Sequence, residues 1–456
     1  MRRFCLSLSL AAILLAHASG VSAQPAFVNG LVIRGSALDA TGQPGANGGR
    51  LGVFSDLYYD PVRGEWWAVS DRGPGGGTLP YETRLNRVTL DVNPWTGRIS
   101  NFRVKETMKF TDPQGLLSAS SGPKALNGLN PALLNGDAGI LGRSFDPEGL
   151  AIDPRTGHFI VTNEYGPSLY VFDRKGRLLR VFETPANLIP KVGAVADYVA
   201  GRDQGLTAGR QDNRGYEGLA VTPDGKKLYA VLQDPLIEEP GPNNGRNGRN
   251  LRIVVFDNDR HSATYGTSIA QYAYQLELQA DVRARILAAG GASTATDPRQ
   301  GRNLGLSAIA AINDHQFLVL ERDNRGIGVD DPAGANVVGT KRIYKIDIDA
   351  VDTTDISGLV LPDNGNLAGA GITPVSKSLV FSDLALDTML PNGKQVEKWE
   401  GMTIEARTAT TIAPIGTINF DPLTRVRRGF ATTGTYHPSR GWFRAAARVE
   451  ASSGSL

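Results

Sequence analysis

Cysteine is nearly absent, one in 456 residues, and histidine is sparse, with five. A single thiol excludes a disulfide framework, an iron–sulfur cluster and any cysteine-rich zinc site. No H-E-x-x-H helix or G-x-S-x-G elbow occurs, which removes the zincin and α/β serine hydrolase readings. His158 and His315 fall in turns and read as solvated surface. Gly73–Gly77 opens no helix, so it is a poor phosphate-cradling loop. An excess of either charge is lacking too: 48 Lys plus Arg stand against 46 Asp plus Glu, a formal charge of +2. That leaves no electrostatic footprint for nucleic acid or an anionic membrane. No apolar run reaches the roughly 20 residues that a membrane-spanning helix needs.

What is plentiful is turn chemistry. Gly and Pro number 54 and 26, in a chain 41% hydrophobic and 21% charged, which suits a globular fold with many turns. At the N-terminus, Met1-Arg2-Arg3 precedes an apolar run from Phe4 to Ala16 and the small residues Val21-Ser22-Ala23. That is the pattern of a signal peptide over residues 1–23, and it predicts an exported protein, periplasmic or extracellular. Cleavage would remove Cys5 and leave a mature chain without cysteine.

Four stretches repeat one pattern: residues 55–73 (SDLYYDPVRGEWWAVSDRG), 146–166 (DPEGLAIDPRTGHFIVTNEYG), 215–235 (GYEGLAVTPDGKKLYAVLQDP) and 305–326 (GLSAIAAINDHQFLVLERDNRG). Each reads as a β-hairpin, an apolar strand, a turn rich in Asp, Pro, Asn or Gly, and a second strand of aromatic and β-branched residues. Trp399-Glu400-Gly401-Met402-Thr403-Ile404 repeats the opening half. Third strands follow at Leu169–Asp173, Leu251–Asp257 and Arg342–Asp347. Four antiparallel strands recurring every 60 to 90 residues predict an all-β fold, a β-propeller of about five to six four-stranded blades. The sixth would be built from the two chain ends. Long Gly/Asn/Pro-rich loops are expected over 112–145, 184–213, 238–250 and 286–303, with short helices near 194–200 and 281–289. Trp66, Trp67, Tyr165, Tyr216 and Trp399 are expected between blades.

In a hairpin the start of the first strand meets the end of the second. Glu148 should therefore meet Glu164, Glu217 should meet Asp234, and Asp56 should meet Asp71. The fourth hairpin offers Glu321 and Asp323, with Ser307 at the opening position, and the fifth offers Glu400. If blades present equivalent positions symmetrically, about nine carboxylates converge at one mouth of the propeller. Crowded like charges raise one another's pKa or attract cations, and a hard divalent cation, chiefly calcium, suits oxygen ligands outside the cytoplasm. Arg72, Arg214, Arg322 and Arg325 are interleaved, either as ion-pair partners or as a grip on substrate phosphate or carboxylate. A purely structural role, each acid capping a turn or pairing with an arginine, stands beside the site reading.

The chain resembles the bacterial "esterase-like activity of phytase" family, also called phytase-like domain proteins. The resemblance is carried by Ser55-Asp56 with Val69-Ser70-Asp71-Arg72-Gly73, by Asp146-Pro147-Glu148-Gly149-Leu150 and by Asn213-Arg214-Gly215-Tyr216-Glu217-Gly218-Leu219. Leu318-Val319-Leu320-Glu321-Arg322-Asp323 and Lys398-Trp399-Glu400-Gly401-Met402 complete it. It implies an exported β-propeller whose repeated acids carry a phosphoester-hydrolase-like activity, with calcium by analogy to β-propeller phytases. One departure is that Glu405-Ala406-Arg407-Thr408 leads into an Arg-rich tail rather than an acidic closing strand.

The domain expectation is a propeller over 24–421 and an Arg-rich tail over 422–456, divergent or poorly ordered. That tail holds six Arg against one acidic residue, leaving 24–421 with 40 basic and 45 acidic residues. The leading expectation is a calcium-dependent hydrolase of phosphate esters, acting as a monomer on a small-molecule substrate. Glu148, Glu217 and Glu321 would be catalytic or metal-bound, with Arg72 and Arg322 clamping phosphate. Asp56, Asp71, Glu164, Asp234, Asp323 and Glu400 would complete the metal-ligand set. A calcium-dependent lactonase or carboxylesterase, and a non-catalytic extracytoplasmic binding propeller, are the alternatives.

Overall fold

A computed structural model of the chain describes residues 31–406, except 32, 35, 43–48, 94–97, 118–124, 134–143, 200–204, 240–247, 292–303, 328–330, 363–365 and 383–396. Beyond residue 406 it describes the backbone of 424–428, 432–435 and 449–450. The signal peptide and most of the Arg-rich tail lie outside the described residues.

Each hairpin read from the sequence opens a four-stranded antiparallel sheet with its strands in chain order. Blade 1 comprises Phe54–Asp60, Glu65–Ser70, Arg84–Val92 and Ile99–Lys109. Blade 2 comprises Pro147–Ile152, Phe159–Asn163, Ser168–Phe172 and Leu178–Val181. Blade 3 comprises Tyr216–Val221, Lys227–Leu232, Asn250–Asp257 and Ser268–Gln275. Blade 4 comprises Leu304–Ala311, Gln316–Asp323, Lys341–Asp347 and Ser376–Ser382. Met402–Ala406, Thr424–Arg428 and Thr432–Thr435 form a three-stranded fifth sheet, two of whose strands fall beyond residue 421. The first strands pack side by side in a closed circuit, blade 1 on blade 2 and onward to the fifth sheet, which returns to blade 1. The fold is therefore a β-propeller.

Among the described residues four of the sheets are four-stranded blades, which corrects the expected count of five to six. Among the described residues the chain ends build no sixth blade. They meet as a short parallel pair, Ile33 opposite Val449 and Arg34 opposite Glu450. The helix Gln279–Ala288 lies where one was expected, whereas residues 191–196 form a small hairpin instead of a helix.

Packing follows from the sequence pattern. The first strands of blades 2 and 3 are buried along their whole length because each is sandwiched between neighbours, so they read as continuous apolar runs rather than alternating ones. Aromatic rings on second strands join adjacent blades, with Trp67 on Phe159 at 4.7 Å and Tyr229 on Phe317 at 4.3 Å between centroids. Trp66, Trp67, Tyr165, Tyr216 and Trp399 are all buried, as interblade packing requires. Small residues allow the first strands to approach: a Cβ on Gly149 would stand 2.6 Å from Leu219 N, and one on Gly218 would stand 2.8 Å from Ala308 Cα.

Candidate functional site

The first hairpin of every four-stranded blade carries the same irregularity. In blade 1 the register passes from Phe54 opposite Ser70 to Asp56 opposite Val69, leaving Ser55 as the extra residue. Glu217 is the extra residue in blade 3 and Ser307 in blade 4. In blade 2, Glu148 and Gly149 together oppose Thr162, whose hydroxyl accepts the Gly149 N–H at 2.6 Å. A β-bulge frees one residue from the ladder and re-aims its side chain. With Glu400 just before the fifth sheet, the repeated position is occupied by Ser55, Glu148, Glu217, Ser307 and Glu400. The aspartate of blade 1 is one place further on: Asp56 is equivalent to Gly149 and Gly218, not to Glu148.

The same registers align the ends of the second strands. Ser70, Asn163, Leu232 and Glu321 stand opposite the residue before each bulge, so the next residues, Asp71, Glu164, Gln233 and Arg322, form an equivalent set. Successive strand residues point to opposite faces. Arg322 and Glu321 therefore part company.

Around blade 2 the acids converge. Carboxylate oxygens of Asp146, Glu148 and Glu164 all lie within 4.8 Å of one another, and all three residues are buried. Arg72 enters from blade 1. Its Nη1 pairs with Asp146 Oδ2 at 2.7 Å and lies 3.8 Å from Glu164 Oε2, and its backbone N–H donates to Asp146 Oδ1 at 3.0 Å. The Asn213 amide oxygen accepts from the same guanidinium, and Asn213 holds a left-handed φ of 51° just before the Glu217 strand. Arg322 mirrors this arrangement, pairing with Glu400 Oε1 at 3.0 Å and donating to Asn324 Oδ1. Glu148 and Glu217 lie within Coulomb range of each other and of Glu164 and Glu400. The mouth thus gathers five carboxylates against two guanidinium groups and the nearby charge of Lys398.

Burial and this crowding decide the protonation states. Burial first, then the charges of Glu217, Asp146, Glu164 and Glu400, holds the Glu148 carboxyl well above the usual range. Glu217 is raised by burial and by Glu164, against the opposing pull of Arg322. Asp146 is raised by burial in spite of Arg72. Burial pushes Asp71 up to about 6 although Arg72 favours its charge. Unpaired polar atoms recur in the same place. Glu164 Oε1, Gln233 Oε1 and Arg322 Nε are buried without a hydrogen-bond partner among the described residues. Glu148 and Glu217 are only 8% and 4% exposed. Among the described residues neither carboxylate receives a hydrogen bond. A buried polar group without a protein partner needs a water, an ion or a ligand, which makes this a candidate binding site.

Not every acid singled out from the sequence joins this group. Glu321 accepts from Tyr274 Oη at 2.9 Å, Lys377 Nζ at 2.6 Å and Glu277 N at 2.5 Å, all away from the mouth acids. Asp323 is bound by Lys341 Nζ at 2.6 Å and by the backbone of Gly339 and Thr340. Asp234 lies 3.4 Å from Arg214 Nε. Asp71 caps Gly73 N at 2.7 Å and lies within the fields of Arg72, Glu400 and Lys398. Asp56 accepts three backbone N–H groups. Conversely, Asp146, Gln233, Asn213 and Asn324 were missed as site residues. Asp146 stood in plain view in D-P-E-G-L, and only its spacing of two from Glu148 pointed to it.

Chemically, the mouth can hold a hard cation. Oxygens that share a cation at about 2.3–2.6 Å lie up to about 5 Å apart, which matches Asp146, Glu148 and Glu164. The unpaired Glu164 Oε1 fits the same role. The donor set is all carboxylate, which favours calcium or magnesium over zinc or copper.

The fold and this site define a class, a β-propeller with a carboxylate-rich mouth able to hold a metal ion. Residues 49–413 match the Phytase-like family, described as esterase-like activity of phytase, and the chain belongs to that family. A protein of Arthroderma benhamiae described as an uncharacterized secreted protein is 30% identical over 237 residues, which span 44% of this chain and 45% of that relative. Among solved structures, Kuenenia stuttgartiensis hydrazine synthase aligns over 70% of this chain and 67% of its own at 12% identity and a TM-score of 0.25. A nidogen/laminin complex aligns over 87% and 84% at 11% identity and a TM-score of 0.32. Among the described residues no helix is long and apolar enough to cross a membrane.

Proposed function

We propose that the chain is an exported hydrolase of phosphate esters, working at the acidic mouth of the propeller with calcium as its cation. The observation that carries this reading is the convergence of Asp146, Glu148 and Glu164 within 4.8 Å, with Glu164 Oε1 buried and unpaired. Export is supported by the signal pattern of residues 1–23 and by the relative described as secreted. The family description, esterase-like activity of phytase, supports an ester substrate.

Asp146, Glu148 and Glu164 would hold the cation, which when bound supplies Lewis-acid polarisation of a phosphoryl oxygen. Glu217, beside them and without a donor, would take the proton of the attacking water. Arg322 Nε, buried and unpaired, would donate to a substrate oxygen while Nη2 stays on Glu400. Arg72 would hold Asp146 in place and face the phosphate with its remaining N–H groups. Glu321 is left out, because Lys377 and Tyr274 already claim its carboxylate.

The test is phosphate release from phosphomonoesters, inositol phosphates included, with calcium and with chelator, for the wild type and Glu217→Gln. Calcium-dependent release that Glu217→Gln abolishes is expected. No release from any of them under either condition refutes the hydrolase. One observation favours a second reading: both mouth arginines are already ion-paired, Arg72 to Asp146 and Arg322 to Glu400, which weakens their grip on a phosphate. In that case the mouth serves a neutral ester or lactone, or only binds. Turnover of lactones or aryl acetates would identify the former. A calcium-dependent rise in melting temperature without any turnover would identify the latter.

A further inference from the structure

The place after each bulge is Gly149 in blade 2, Gly218 in blade 3, Ala308 in blade 4 and Gly401 before the fifth sheet, but Asp56 in blade 1. The small residues have a steric cause, the close approach of the neighbouring first strand. Asp56 alone puts a polar side chain at this level, and its two oxygens reach sideways. Oδ1 accepts from Leu57 N at 2.8 Å and Met402 N at 3.1 Å, and Oδ2 accepts from Leu150 N at 2.8 Å. Leu57, Leu150 and Met402 are one and the same repeat position in blade 1, blade 2 and the fifth sheet. A single carboxylate therefore gathers equivalent backbone N–H groups from three successive sheets. Two of the three lie just past mouth acids: Leu150 is two residues after Glu148, and Met402 is two after Glu400.

We propose that Asp56 is a positioning residue, a latch that ties the last sheet to the first two blades and thereby holds Glu148 and Glu400 in the mouth. This differs from the ligand role expected for it from sequence, because both oxygens are committed to backbone donors. Three backbone hydrogen bonds converge on this one buried side chain, so replacing the acid removes more than an ordinary contact and strands three donors. A second tie between blade 1 and the fifth sheet, Tyr59 N to Thr403 Oγ1 at 3.1 Å, is neutral and supplies a control. The consequence for cation binding rests on the function proposed for the mouth; the latch does not.

Two measurements on the full chain decide it, using Asp56→Ala, the volume-conserving Asp56→Asn in case the first does not fold, and Thr403→Val. The first is hydrogen exchange at the Leu150 and Met402 amides without added metal. Faster exchange in the Asp56 variants but not in Thr403→Val is expected, and equal exchange in all overturns the latch. The second is calorimetric titration with calcium chloride well below the melting temperature. Loss of a group that orients metal ligands typically costs 10–100-fold in affinity. A loss of that size is expected for Asp56→Ala and a smaller one for Asp56→Asn, with Thr403→Val unchanged. Wild-type calcium affinity in Asp56→Ala overturns the positioning role, whatever its melting temperature. If the wild type takes up no calcium, the cation reading fails, and the exchange data alone uphold or overturn the latch.

Discussion

Removing one mouth carboxylate should make the metal-free protein no less stable while abolishing its response to calcium. Glu148→Gln is the sharpest form of this perturbation, since Glu148 receives no hydrogen bond from the described residues and is opposed by the charges of Glu217, Asp146, Glu164 and Glu400. Its carboxylate oxygen lies within 4.8 Å of those of Asp146 and Glu164. At an effective dielectric constant near 20, two unit charges at that distance repel by about 3 kcal/mol. Protonation already relieves part of this, so the glutamine should relieve about 1–2 kcal/mol in the absence of metal. In contrast, calcium at about 100 times its dissociation constant should stabilise the wild type by about 2.7 kcal/mol. The assay is scanning calorimetry at pH 7.5 in chelator and in calcium. The variant should melt at or slightly above the wild type in chelator, and calcium should raise only the wild type. If Glu148→Gln melts well below the wild type in chelator, and calcium lifts both equally, the carboxylate is structural and the cation site is elsewhere.

Other consequences rest on the same geometry. In chelator, unfolding free energy should fall as pH rises. Asp71 and Asp56 titrate near 3.8 when unfolded but near 6 and 8 when folded, so the folded chain keeps protons that the unfolded chain has released. The contribution is full below about pH 4 and lost by about pH 8. Asp71 alone accounts for about 3 kcal/mol, and urea unfolding at a series of pH values should show the decline, flattened above pH 6 in Asp56→Asn. Arg322→Ala should cost about 3–5 kcal/mol in urea unfolding, because it strands Glu400 and Glu217 without their cation. Gly218→Ala should lower the melting temperature through a loss of about 1–3 kcal/mol, since its Cβ would meet the backbone of Ala308 and Ile309 at 2.8 Å. Glu321→Gln should cost stability by weakening the tie to Lys377 yet keep the full calcium response. Loss of that response would return Glu321 to the site.

Much of this architecture is legible in the chain itself. The hairpin repeat, with Asp153-Pro154-Arg155-Thr156-Gly157 as its best-formed turn, marks out the first two strands of each four-stranded blade. Gly157 adopts φ 71° as such a turn requires, and Asp153 caps Arg155 N at 2.8 Å. The Glu148–Glu164 encounter comes from the same hairpin logic. The sixth blade did not, because strand counting cannot say which remote segments pair at the ends. Asp146 escaped notice because a residue before a strand carries no periodicity to mark it.

The sequence by itself determined the repeat, the antiparallel sheets, the choice of all-oxygen chemistry and the acids from which a mouth could be made, since these depend on local pattern and composition. Only the tertiary structure decided which acids of different blades meet. The bulge shared by the first strands fixes which of their residues are equivalent, so Ser55 rather than Asp56 shares the place of Glu148, and alternation along the second strand puts Arg322 rather than Glu321 beside Glu400. Strand alternation is exact to one residue, and a motif read without its bulge is displaced by that one. The near balance of charge in the whole chain likewise hid a cluster of five carboxylates and two arginines, because burial concentrates what composition averages.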